Sequence, residues 1–230
     1  AQLLDGVGRA VHSVDDDTVA RTVVSGDDGL RVSTAPDPTR VRLSPDRTQL
    51  LSELAETPLD LFGAHAGVLG QSPGQLLRAR APSELHVEGA STRWLRQSLS
   101  GSGRVAVTWT GIYGDCGAAS AEHHVFHDEL VRAQLAESED AFRALRRTRE
   151  IARTAPRLTV GDGVYCQSTA IGLDARSLLP PFFPVLRGQD VVFGATLRAC
   201  FEDASIAYLP LAILHDPIDS RDAGPDETAP

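Results

Sequence analysis

The chain has 230 residues and a mass of 24.5 kDa, enough to bury a core without disulfide staples. Apolar residues make up 42% and charged residues 23%, near the globular averages, which argues against a disordered, collagen-like or coiled-coil chain. The formal charge of −9 argues against nucleic acid or an anionic membrane surface as partner, and because all 22 basic residues are Arg, neither a lysine Schiff base nor a P-loop can carry the chemistry.

The three cysteines, Cys116, Cys166 and Cys200, are too widely spaced for a compact zinc pattern, and their odd number cannot close a disulfide framework. A reducing cytoplasm fits them best. No apolar run reaches the roughly 20 residues that span a bilayer, and no signal-peptide layout opens the chain. The sequence starts at Ala1 and contains no Met, which suggests a trimmed chain or a piece of something longer.

In chain order, residues 1–8 read as the end of a helix closed by Gly, and Arg9–Val14 as a strand running straight into Asp15-Asp16-Asp17. Thr18–Ser44, with Gly26, Gly29, Pro36 and Pro38, reads as an irregular surface excursion with short strands. Residues 45–56 put Leu50, Leu51 and Leu54 on one helical face, and a second helix is expected over Leu59–Leu69. Gly103–Tyr113 alternates Val105, Val107 and Trp109 as a core strand ending at Gly114-Asp115. Residues 120–150 are rich in Ala, Leu, Glu and Arg and predict helix, with Arg143, Arg146, Arg147 and Glu150 on a charged face. A strand around Val164–Gln167, a Pro-rich stretch over 178–185, a helix over 190–201 and a strand over 206–215 follow. These elements place residues 1–217 in one unit and residues 218–230 in an acidic, disordered tail. Alternating strands and helices make α/β the expected class, with strand ends as the place for chemistry.

Three adjacent aspartates repel one another, and a divalent cation relieves the repulsion. On an extended chain Asp15 and Asp17 point to the same side and can share one ion bound through hard oxygens. A plain acidic turn is the competing reading. Asp190, at a predicted helix start after the stiff Pro180-Pro181-Phe182-Phe183-Pro184 segment, reads as an N-cap or as a general base. His215 closes an apolar strand and either has no special role or adds an imidazole to an oxygen site, favouring a Mn²⁺-like ion over Ca²⁺. His123 and His127 have the i, i+4 spacing of zinc helices, but the HExxH order is absent and no third ligand is placed. Asp115 and Asp162 read as turn residues, and Asp115 could equally line an acceptor site.

Three stretches together resemble the later part of a GT-A nucleotide-sugar glycosyltransferase of the broad glycosyltransferase family 2 type. Val11-His-Ser-Val-Asp-Asp-Asp-Thr18 resembles the strand-end DxD motif. Arg187-Gly-Gln-Asp190 with Val191-Val-Phe-Gly194 resembles the later base motif, with Gln189 where the family commonly has Glu. Leu209-Pro-Leu-Ala-Ile-Leu-His215 resembles the late metal-binding histidine strand. The resemblance implies a GT-A-like, Rossmann-like mixed sheet flanked by helices, with Asp15, Asp17 and His215 holding Mn²⁺ or Mg²⁺ on the donor diphosphate. Asp15 and Asp16 would face the nucleotide-sugar cofactor, and Asp190 would deprotonate the acceptor hydroxyl in an inverting transfer. Only 14 residues precede Asp15, fewer than the ~30 of a single βαβ unit. The nucleotide-binding half is therefore expected on a preceding segment or a partner chain; the alternative is a non-catalytic GT-A-like module used for binding or assembly.

Overall fold

The computed structural model describes residues 6–54, 59–117, 121–126, 128–167, 169–183 and 188–217. They form a mixed α/β structure built on one ten-stranded sheet flanked by helices. Two strands of twelve residues each, β6 (Arg104–Asp115) and β10 (Ala204–His215), run parallel through its centre.

Each central strand changes its outer neighbour along its length. The first half of β6 pairs antiparallel with β9 (Ala170–Asp174), which in turn pairs with β1 (Ala10–Val14). Its second half pairs with β7 (Glu150–Thr154), backed by β4 (Arg40–Leu43). Likewise β10 pairs first with β8 (Arg157–Gly161), which continues to β3 (Asp27–Val32) and β5 (Leu85–Val87), and then with β2 (Thr18–Val24). The change on β10 falls at a bulge between Tyr208 and Ala212, where Pro210 has no N–H to offer a ladder and its carbonyl accepts from Ser25 N–H at 2.9 Å. The sheet therefore forks, and the carboxyl ends of β6 and β10 stand between β7 and β2.

The core follows from the alternation of apolar residues, with one break. Val107, Trp109, Ile206 and Tyr208 pack with Phe193 and Leu197 of the helix Gln189–Cys200 on one face. Val105 lies in a separate cluster with Trp94, Ala207 and Leu209, because a register shift between Val105 and Val107 turns the strand over. Val105 thus does not share a face with Val107 and Trp109 as the alternation predicts.

Several other expectations are corrected. The stretch from Thr18 to Ser44 is no surface excursion: it supplies β2, β3 and β4, and Leu30, Val32, Val41 and Leu43 are core residues. Residues 120–150 do not form one helix, since Asp128 and Ser138 cap new helices at Glu129–Ala136 and Glu139–Leu145, and Glu150 opens β7. Val164–Gln167 is loop, and the flanking strands are β8 and β9. Leu50 and Leu54 are buried as expected, although the helix there is confined to Arg47–Ser52. In the late helix, where the apolar period predicts Phe193, Leu197, Cys200 and Phe201 as one buried stripe, Phe193 and Leu197 are buried, but Phe201 is half-buried and Cys200 is exposed. Of the helix end expected over residues 1–8, residues 1–5 lie outside the described residues and 6–8 are turn; the acidic tail over 218–230 also lies outside them. Among the described residues no helix is long and apolar enough to cross a membrane.

Candidate metal centre

The three aspartates form the turn between β1 and β2. β1 stops at Val14, Asp15 N–H donates to Thr169 O at 2.9 Å, and both the backbone N–H and the hydroxyl of Thr18 donate back to Asp15 O at 3.3 and 2.7 Å. Extended-chain alternation is therefore not what aligns Asp15 with Asp17; a tight turn is. The outgoing strand β2 pairs with β10 in the register Thr18 opposite His215, and Asp216 N–H donates to Asp17 O at 2.8 Å. This pairing carries the late histidine to the acidic turn.

Ligand atoms of Asp15, Asp17 and His215 lie within 4.8 Å of one another. Two carboxylate oxygens and one imidazole nitrogen form a donor set suited to Mn²⁺ or Mg²⁺, with the nitrogen favouring the former. The hydrogen bonding of His215 sharpens the fit. Its Nδ1 meets the backbone carbonyl of Asp115, which can only accept, so Nδ1 carries the hydrogen. In the neutral ring Nε2 then turns a lone pair toward Asp17 Oδ1, 3.0 Å away. That oxygen is buried and has no hydrogen-bond partner. Two acceptors at this distance repel unless a proton or a metal cation joins them. Desolvation first, and the neighbouring charge of Asp17 second, raise the Asp15 carboxyl above its ordinary value, a cost that a bound cation removes.

Asp16 is exposed and is not among the three residues whose ligand atoms converge. Asp190 occupies the first turn of its helix, but it is not the N-cap: Gly188 holds that position, with no side-chain cap. The helix is seated by Phe193, whose ring stacks on Phe182 of the Pro-rich approach with centroids 4.1 Å apart. It is also seated by Gly194, where a Cβ would collide with the Val164 carbonyl. Burial, and after it the charge of Asp190, push up the Cys166 thiol. Asp190 is not among the residues whose ligand atoms converge at the acidic turn.

Asp162 follows Gly161, whose pairing partner is Ile206 near the start of β10. It lines a small polar cleft with Trp94 and Arg198 at the end of the sheet away from His215. His127 and the side chain of His123 lie outside the described residues.

Two arginines that sequence reasoning did not single out brace the site. Arg47 pairs with Glu150 at 2.8 Å and with Asp216, next to His215. Arg149 pairs with Asp115. Their only signal was Arg within a charged stretch, and a carbonyl such as that of Asp115 leaves no sequence signature at all. Compared with models of protein families, with curated proteins and with solved structures, the chain matches none.

Proposed function

We propose that this chain is the metal-binding and acceptor-side part of a cytoplasmic, GT-A-like glycosyltransferase that moves a sugar from a nucleotide-sugar donor to an acceptor hydroxyl with inversion. The observation that carries the reading is the meeting of Asp15, Asp17 and His215 within 4.8 Å at the carboxyl ends of strands. These residues would hold Mn²⁺ or Mg²⁺, which when bound supplies positive charge against a diphosphate leaving group. Asp190 would take the proton of the acceptor hydroxyl. It stands in the first turn of a helix, and its work as a base depends on tight orientation of that hydroxyl. The stacked Phe182 and Phe193 rings supply that fixity on the protein side. Lysine is not required, because the cation and Arg side chains can balance phosphate charge.

Calorimetry with UDP- and GDP-sugars tests the proposal. Binding is expected in Mn²⁺ and not in a chelator, and it should be weak if the base of the nucleotide is held by another segment or chain. Donor binding that ignores Mn²⁺, or a chain that takes up no Mn²⁺, overturns it.

A further inference from the structure

Beside the candidate centre, Asp115 and Arg149 form a pair to which the proposed reaction assigns no role. Arg149 Nε donates to Asp115 Oδ1 at 2.9 Å and its Nη2 lies 2.9 Å from Oδ2, with both side chains almost withdrawn from solvent at 13% and 14% exposure. A guanidinium that donates through Nε and keeps a second nitrogen within ion-pair range holds the carboxylate in position. The backbone around the pair is tied down on every side. Gly117 N–H donates to Asp115 Oδ1 at 2.7 Å, Cys116 N–H donates to Arg149 O at 2.8 Å, and Asp115 sits opposite Glu150 in the β6–β7 ladder. Just before it, Gly114 has a φ of +108°, and a Cβ there would strike the His215 carbonyl. The last residues of β6 are thus held by β7 on one side and pressed against the end of β10 on the other.

What this framework presents is the Asp115 carbonyl, the group that meets His215 Nδ1. We infer that the Asp115–Arg149 pair is a positioning device of the cation site: it holds that carbonyl where it keeps His215 in the Nδ1–H form, with Nε2 turned toward Asp17. The inference rests on Asp15, Asp17 and His215 being cation ligands. Its physical logic is general, since a histidine that binds a metal through one nitrogen is oriented by the acceptor that receives the other N–H. A pair that merely closed the edge of β6 on β7 would have no influence on the state of the His215 ring.

Two readouts separate these roles. In the metal-free wild-type protein, at a pH where the ring is neutral, ¹⁵N spectroscopy of the imidazoles should show His215 as the Nδ1–H tautomer; the Nε2–H tautomer overturns the inference. Calorimetric titration with Mn²⁺ alone should show affinity reduced by roughly 10–100-fold in Arg149→Gln and in Asp115→Asn. Arg149→Lys, which keeps the charge but loses the Nε hydrogen bond, should fall between wild type and Arg149→Gln and guards against a poorly folded variant. The double variant should bind Mn²⁺ no more weakly than the worse single one, because the two residues act as a unit. Folded variants that bind Mn²⁺ like the wild type overturn the inference. A wild-type chain that binds no Mn²⁺ overturns the cation reading and the inference with it, whereas a wild type that binds Mn²⁺ beside folded variants of equal affinity overturns the inference alone.

Discussion

His215 Nε2 lies 3.0 Å from Asp17 Oδ1, although the two residues stand near opposite ends of the described chain. Their proximity is a consequence of β2 joining the second half of β10, a pairing locked by the Asp216 N–H to Asp17 O hydrogen bond. Two acceptors at this distance repel unless a proton or a cation joins them, so Mn²⁺ bound between them should stabilise the native state. At a Mn²⁺ concentration 100 times its dissociation constant, mass action adds about 2.7 kcal/mol to the native state. For a chain of this size that raises the melting temperature by roughly 5–10 °C. Asp17→Asn and His215→Ala should abolish the rise, whereas Asp16→Asn should keep it. A melting curve that Mn²⁺ does not move in the wild type counts directly against the site.

A second prediction concerns acid stability and uses a histidine remote from the proposed chemistry. His65 is 1% exposed, its Nδ1 is 2.7 Å from Thr108 Oγ1, and the His12 ring lies edge-on with centroids 5.0 Å apart. Burial first, and then His12, lower its pKa from 6.5 to about 4. Between those values the unfolded chain binds a proton that the native ring refuses. The stability associated with neutral His65 is therefore fully present above about 6.5 and is lost as pH falls toward 4, a change of about 3 kcal/mol. Urea denaturation at a series of pH values should show a shallower decline in His65→Gln than in wild type. Asp15 works in the opposite direction, since its raised pKa lets the native state take its proton first, but that contribution is common to both proteins and cancels in the comparison. Parallel pH profiles for the two proteins would refute the assignment.

The long apolar segments were legible before the fold was known. β6, β10 and the helix Gln189–Cys200 have periodic sequences that local rules read correctly to within a few residues. The breaks within 120–150 were missed: Asp128 and Ser138 each precede a short run of helix formers, but the Ala, Leu, Glu and Arg composition around them reads as continuous helix. β7 was harder, because Arg153 sits in it and is nevertheless buried, paired with Asp37 and stacked over the Tyr165 ring at 3.5 Å. A charged residue inside a strand breaks the apolar pattern, and the contacts that tolerate it come from distant segments. The candidate site divides in the same way. The aspartates and His215 are conspicuous as residue types, but the turn that aligns Asp15 with Asp17, and the carbonyl that orients His215, are backbone features set by non-local pairing.

The last prediction separates the two proposed roles by kinetics. Asp190→Asn keeps the shape of the side chain and one acceptor oxygen while removing its ability to take a proton. Gly188, not Asp190, occupies the N-cap, and the melting temperature of the variant, measured alongside, checks that the fold is kept. Mn²⁺ affinity should be unchanged, since the residue is not one of the three converging ligands. Turnover in the complete enzyme should fall by about 10²–10⁴-fold, the usual contribution of a positioned base. Asp17→Asn should instead weaken Mn²⁺ and donor binding together, and high Mn²⁺ should restore part of its activity while doing nothing for Asp190→Asn. Phe182→Ala offers an intermediate case: losing the stack on Phe193 loosens the approach to Asp190 without touching the carboxylate, and should lower turnover with little effect on Mn²⁺ affinity. If Asp190→Asn turns over at the wild-type rate, the residue serves the helix alone and the base must be sought elsewhere along the acidic end of the sheet.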